Sequence, residues 1–118
     1  MKCDRVGAFS DLPEKKMALS LQVIYPITED THFDFEYYLG THIPMVGEHM
    51  GAHIDKTLVT KGLASGPDVA PHSYAVATMT FADQGALDSA LAASGPVIAD
   101  IANFTNTQPQ MLIGEVIA

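Results

Sequence analysis

Apolar residues alternate with polar or small ones in four short runs of this chain, and each run reads as a β-strand. In Ala18 to Tyr25, the side chains of Leu19, Leu21, Val23 and Tyr25 share one face, while Ala18 and Ile24 put apolar groups on the other. Ile54 to Leu63 sets Ile54 and Leu58 against Thr57 and Val59. Ser73 to Phe81 sets Ala75, Ala77, Met79 and Phe81 against Tyr74, Val76 and Thr78, and Gln110 to Ile117 sets Met111 and Ile113 against Leu112 and Val116. Between the first two runs the period lengthens. Phe35, Tyr38, Leu39, His42, Val46 and His49/Met50 recur at steps of three and four, the single stripe of an amphipathic helix. Asp34 is a good N-cap, Glu36 suits the positive end of the helix dipole, and Gly51 is a natural stop. Asp83 caps a second helix, Gln84 to Ala93, with Leu87, Ala90 and Leu91 on its buried side. Pro96 restarts a short helix that runs to about Asn103. Gly62 to His72, with Gly66-Pro67 and Pro71, reads as a mobile loop.

The order strand-helix-strand-strand-helix-strand predicts an α+β fold, the ferredoxin-like βαββαβ protomer with a four-stranded antiparallel sheet. Two helices cover only one side of such a sheet. The other side carries Ile24, Val76, Leu112 and Val116, a larger apolar patch than a soluble monomer usually leaves open. A homodimer packed through that sheet face is therefore expected.

Composition narrows the partners. With 118 residues the chain forms one domain, and 14 acidic against 6 basic side chains give a formal charge of −8. No basic cluster reverses that charge locally, so nucleic acid is not an expected partner. The single cysteine, Cys3, excludes an internal disulfide and suits a reducing, cytoplasmic setting. No apolar run approaches the roughly 20 residues of a membrane span. Residues 1–16 mix charge with Pro, Gly and Ser and lack a hydrophobic signal core, so they read as a mobile arm, with Met17 as an alternative start and 17–118 as the domain.

The helix stripe holds the most reactive candidate. His42 lies on the apolar side, and imidazole is the one side chain whose unperturbed pKa, about 6.5, lets it take and return a proton near neutrality. Pro44 removes a backbone donor and clashes with the Gly40 carbonyl, so the helix should bend or open over His42. Tyr38, one turn earlier, is placed to orient His42 or a substrate oxygen. Tyr25 and Gln108 are candidate polar contacts at strand ends, and Phe81, Met79 and Phe104 are candidate apolar walls. Each of these has a purely structural alternative: a satisfied core histidine, or aromatics and an amide closing strand ends.

The stretches Tyr25-Pro26, Phe33 to Tyr38, Thr41-His42-Ile43-Pro44 and Ile101 to Pro109 resemble the EthD family of the dimeric α+β barrel superfamily, over about Leu19 to Val116. The family is named after ethyl tert-butyl ether degradation. The resemblance implies a ferredoxin-like protomer pairing sheet to sheet, with His42 matching the histidine of the family's His-x-Pro block. It carries a generic oxidoreductase association. Wider relatives include cofactor-free monooxygenases, lactone isomerases, polyketide cyclases and haem-using enzymes.

Other chemistries lack their residues. His42, His49 and His53 do not make a tetrahedral metal set without further ligands. No Gly-x-Ser-x-Gly elbow, dinucleotide fingerprint or P-loop occurs, so no nucleotide cofactor is expected. The leading expectation is a small enzyme using His42 as a cofactor-free acid/base, or in oxidative chemistry, on an apolar carbonyl, phenol or lactone compound. Its rival is a non-catalytic accessory protein that holds such a compound for a degradation or monooxygenase pathway.

Overall fold

Alternation along β1 (Leu19–Pro26) and β3 (Ser73–Phe81) decides where the core lies. In the computed structural model, which describes residues 18–118, Leu19, Leu21, Val23 and Tyr25 are buried, as are Ala75, Ala77, Met79 and Phe81. The two strands are antiparallel neighbours, with Val23 opposite Ala77 and Tyr25 opposite Ala75. β2 (Lys56–Lys61) flanks β3, and β4 (Gln110–Glu115) flanks β1, so the antiparallel order is β2-β3-β1-β4. This is the ferredoxin-like α+β arrangement. The expected arm at 1–16, with Cys3, and the alternative start at Met17 lie outside the described residues.

The helices pack on one face. The first helical stretch consists of α1 (Phe35–Tyr37), a π-helical turn (Tyr38–His42) and α2 (Ile43–Met50). After β3 come α3 (Gln84–Ala92) and α4 (Gly95–Asp100), the latter continued by a 3₁₀ turn (Ile101–Asn103). Tyr38, Val46, Met50, Leu87, Ala90 and Val97 meet the strand residues in one core. Both expected caps form: Asp34 accepts from the Tyr37 N–H and Asp83 from the Ala86 N–H. No helix among the described residues is long and apolar enough to cross a membrane.

Several edges differ from the sequence pattern. β2 is shorter than Ile54 to Leu63, because pairing with β3 runs only from Lys56↔Thr80 to Lys61↔Ala75. β4 stops at Glu115, and β1 continues one residue to Pro26, where the register with β3 shifts. Leu39, expected on the buried stripe, is 58% exposed. The π-turn explains it. An α-helical period of 3.6 brings Leu39 inward, but the wider turn leaves Tyr38, His42, Val46 and Met50 facing the core at steps of four.

The far face of the sheet is mixed. Leu58, Leu112 and Val116 are exposed there, interleaved with Ser20, Gln22, Thr60 and Thr78. Gln22 Nε2 donates to Thr78 Oγ1 at 3.2 Å across that face.

Candidate functional site

The π-turn is the local reason His42 points where it does. Pro44 has no N–H to offer the carbonyls of the preceding turn. The backbone widens, and Ile43 N–H closes an i→i+5 bond to the Tyr38 carbonyl. The sequence prediction that the helix opens over His42 is therefore met. Such π-turns recur at functional sites.

His42 is only 3% exposed, and its Nδ1 lies 3.0 Å from Asp100 Oδ2. Asp100 ends α4 and is itself buried. Its other oxygen, Oδ1, accepts from the Tyr37 hydroxyl at 2.7 Å and from Asn103 Nδ2 at 2.9 Å. One carboxylate is thus held by three donors from two helical segments. The segments are tied together at their ends. Asp34 N–H donates to the Phe104 carbonyl at 2.8 Å, Thr105 Oγ1 to the His32 carbonyl at 2.6 Å, and Phe33 and Thr105 form an antiparallel bridge. Thr107 Oγ1 donates to the Pro26 carbonyl at 2.5 Å, fixing the same segment to the end of β1.

Protonation follows from this geometry. Burial pushes Asp100 up, but the hydrogen bonds from Tyr37, Asn103 and His42 outweigh it and hold the carboxyl below the usual range. Burial holds His42 below the ordinary histidine value, against the opposing pull of Asp100. Near neutral pH, Asp100 is then ionised and His42 neutral. A carboxylate without a proton can only accept, so the imidazole donates from Nδ1 and Nε2 keeps its lone pair. Nε2 makes no hydrogen bond to a described residue, and His42 lines a cavity.

That cavity measures about 80 Å³ and lies between the sheet and the helices. Its walls are almost wholly apolar, and alanine at position 77 leaves part of the space. Thr57 borders one end, and the half-exposed Ile98 and Met111 border the other. Tyr25 and Tyr38 are the polar-tipped members. The Tyr38 hydroxyl is enclosed with no hydrogen-bond partner among the described residues, an uncommon state for a buried polar atom. Burial raises Tyr38 to about 12, and burial followed by the neighbouring Tyr38 raises Tyr25 as well. Both are neutral donors at physiological pH.

Of the residues singled out in the sequence, His42, Tyr38, Tyr25 and Met79 come together on the cavity. Phe104 is buried behind them, its ring centroid 4.6 Å from that of His42 and 5.1 Å from that of Tyr38, and supports the imidazole without lining the cavity. Phe81 is fully buried at the far end of β3, opposite Leu19, and is core. Gln108 is exposed two residues before β4 and does not reach the cavity. Tyr38 stacks on His42 at 5.7 Å, but the group that orients the imidazole by hydrogen bonding is Asp100. Sequence reasoning missed Asp100, Tyr37 and Asn103. One signal was present: an acidic side chain at a helix C-terminus opposes the dipole, so Asp100 had to find its stabilisation elsewhere.

No protein-family model and no curated protein matches the chain. Solved structures do. An EthD-like protein from Ralstonia eutropha JMP134 is 31% identical with a TM-score of 0.78, over 88% of this chain and 96% of that one. An EthD family protein from Bacillus halodurans C-125 is 20% identical with a TM-score of 0.60, over 86% and 100%. SnoaB, a cofactor-independent oxygenase from Streptomyces nogalater, shares the fold at 10% identity and a TM-score of 0.52, over 83% and 92%. The Ralstonia match covers nearly the whole of both chains at this level of identity, and on that ground the chain belongs to the EthD family.

Proposed function

We propose that this EthD-like protein binds a small apolar carbonyl, phenol or lactone compound in the cavity and uses His42 Nε2 as a general base on it without a cofactor. The observation that carries this reading is the buried His42–Asp100 pair on the wall of an apolar cavity. Asp100 fixes the tautomer and steadies the imidazolium that forms when Nε2 takes a proton. The Tyr38 hydroxyl, without a partner among the described residues, is the natural donor to the ligand's oxygen. The walls exclude water, so proton transfer runs in a medium that strengthens each of these interactions, and general-base help of this kind is worth roughly 10²–10⁴-fold.

The cavity's size constrains the ligand. At about 80 Å³ it is roughly half the ~150 Å³ apolar cavity that takes benzene in a well-studied engineered case. Larger compounds must displace the half-exposed side chains of Ile98 and Met111. The working unit of this proposal is a homodimer through the far sheet face, supported by the exposure of Leu58, Leu112 and Val116 there.

Titration with cyclopentanone, followed by methyl NMR, tests the binding step. Shifts should concentrate at Val23, Met50, Met79 and Val97, and His42→Asn should weaken them. Shifts confined to other parts of the molecule, or none at millimolar ligand, would overturn the assignment. Thermal unfolding of His42→Asn and His42→Ala beside the parent separates lost recognition from lost folding.

A further inference from the structure

A second concavity of about 210 Å³ lies on the β2 side of Tyr38, whose ring lines both spaces. Its other walls include Phe35, Leu39, Val59 and Lys61. Lys56 and Lys61 are the only lysine or arginine side chains within residues 18–118 of this strongly acidic chain. They face opposite ways. Lys56 pairs with Thr80 and turns to the far face, where a charge on an edge strand discourages unwanted strand pairing. Lys61 pairs with Ala75, which pairs with Tyr25, so it turns to the helix side. Its Nζ sits 4.7 Å from the centroid of the Phe35 ring, and it forms no ion pair with a described residue. The π-turn that buries His42 also pushes Leu39 outward to form an apolar lip of this groove.

A cation with no ion-pair partner among the described residues, set over an aromatic ring beside an exposed leucine and a valine, complements a carboxylate attached to an apolar body. We propose that the groove is a carboxylate subsite, and that the compounds handled at His42 are apolar carboxylates whose anionic end rests on Lys61. The substrate-class half of this proposal rests on the His42 reading given above. Lys61 and Tyr25 are two strand spacings apart, roughly 10 Å between backbones, about the length of an aromatic ring with a short acid side chain. Such a ligand lies along Tyr38, the wall shared with the cavity.

The test uses 3-phenylpropanoate and its primary amide, neutral and nearly isosteric, titrated into the full chain and followed by backbone amide NMR. The parent should bind the acid at least tenfold more tightly than the amide, with shifts at Val59, Thr60 and Lys61. Lys61→Gln should abolish that preference and Lys61→Arg should retain it; position 61 is exposed on an edge strand, so neither change threatens folding. Equal affinity for acid and amide, a preference that survives in Lys61→Gln, or no binding of either compound overturns the subsite. The readout needs no turnover, so a failure of the His42 chemistry leaves a distinct result: acid preference at Lys61 with no dependence on His42→Asn.

Discussion

Replacing Asp100 by asparagine changes one atom and reverses the hydrogen-bond logic of the site. The asparagine oxygen can still accept from Tyr37 and Asn103, as Oδ1 does in the parent at 2.7 and 2.9 Å. Its NH₂ then faces His42 Nδ1, 3.0 Å away, where a second donor cannot stay. The imidazole must move its proton to Nε2 and accept at Nδ1, so Nε2 becomes a donor and loses its basic lone pair. The enclosed contact falls from a charge-assisted bond, worth about 1.5–3 kcal/mol, to a neutral one of about 0.5–1.5 kcal/mol. A loss of about 1–2 kcal/mol follows, or a drop in Tm of roughly 4–8 °C for a domain of this size. Long-range ¹H–¹⁵N correlation spectra of the histidine rings read the tautomer directly. The parent should show His42 protonated at Nδ1 and Asp100→Asn should show it protonated at Nε2, in a folded protein. An Nε2–H parent, or the same tautomer in both proteins, would refute the role given to Asp100.

Folding stability should fall as pH drops. His42 and Asp100 both lie below their ordinary values of 6.5 and 3.8, so the unfolded chain binds more protons below those points, and stability present above pH 6.5 is lost on acidification. Tm should decline from pH 7 to pH 5 in the parent and less steeply in His42→Asn; a rise on acidification would contradict the assignment. Light scattering at micromolar concentration should give twice the 12.6 kDa of the chain, with an interface above ~1,200 Å², and a 12.6 kDa particle would exclude the dimer. Gly47→Ala, in open space on α2, should stabilise by about 0.5–1 kcal/mol, whereas Gly62→Ala places a Cβ against the Ser73 carbonyl and should cost about 1–3 kcal/mol. Chemical denaturation of the two variants measures both signs.

The fold was legible because its main signals are local. Alternation with a period of two needs no knowledge of partners, and it assigned the buried faces of β1 and β3 residue by residue. The caps at Asp34 and Asp83 depend only on residues three positions away. Leu39 was misplaced because a fixed 3.6 period cannot register the extra residue of a π-turn, even though Pro44 marked the spot. The candidate site was half legible. His42, Tyr38 and Tyr25 come from elements with clear patterns. Asp100 comes from a six-residue helix and meets His42 across 58 positions of sequence, a contact that no spacing rule reaches. Phe81 was a credible apolar wall and Gln108 a credible strand-end contact, but the cavity runs beneath α2 and α4 and is lined by neither.

Hydrogen–deuterium exchange at carbon tests most directly whether His42 is a cavity base acting on an apolar carbonyl compound. Cyclopentanone, γ-butyrolactone and 3-phenylpropanal in D₂O, incubated with the parent and with His42→Asn, report abstraction of the proton next to the carbonyl by mass spectrometry. Exchange should exceed the buffer rate with at least one of them in the parent and decline at a pH below 6.5 as His42 protonates. In His42→Asn it should return to the buffer rate. Exchange that never exceeds buffer in the parent, or that persists undiminished in His42→Asn, would rule out His42 as the base.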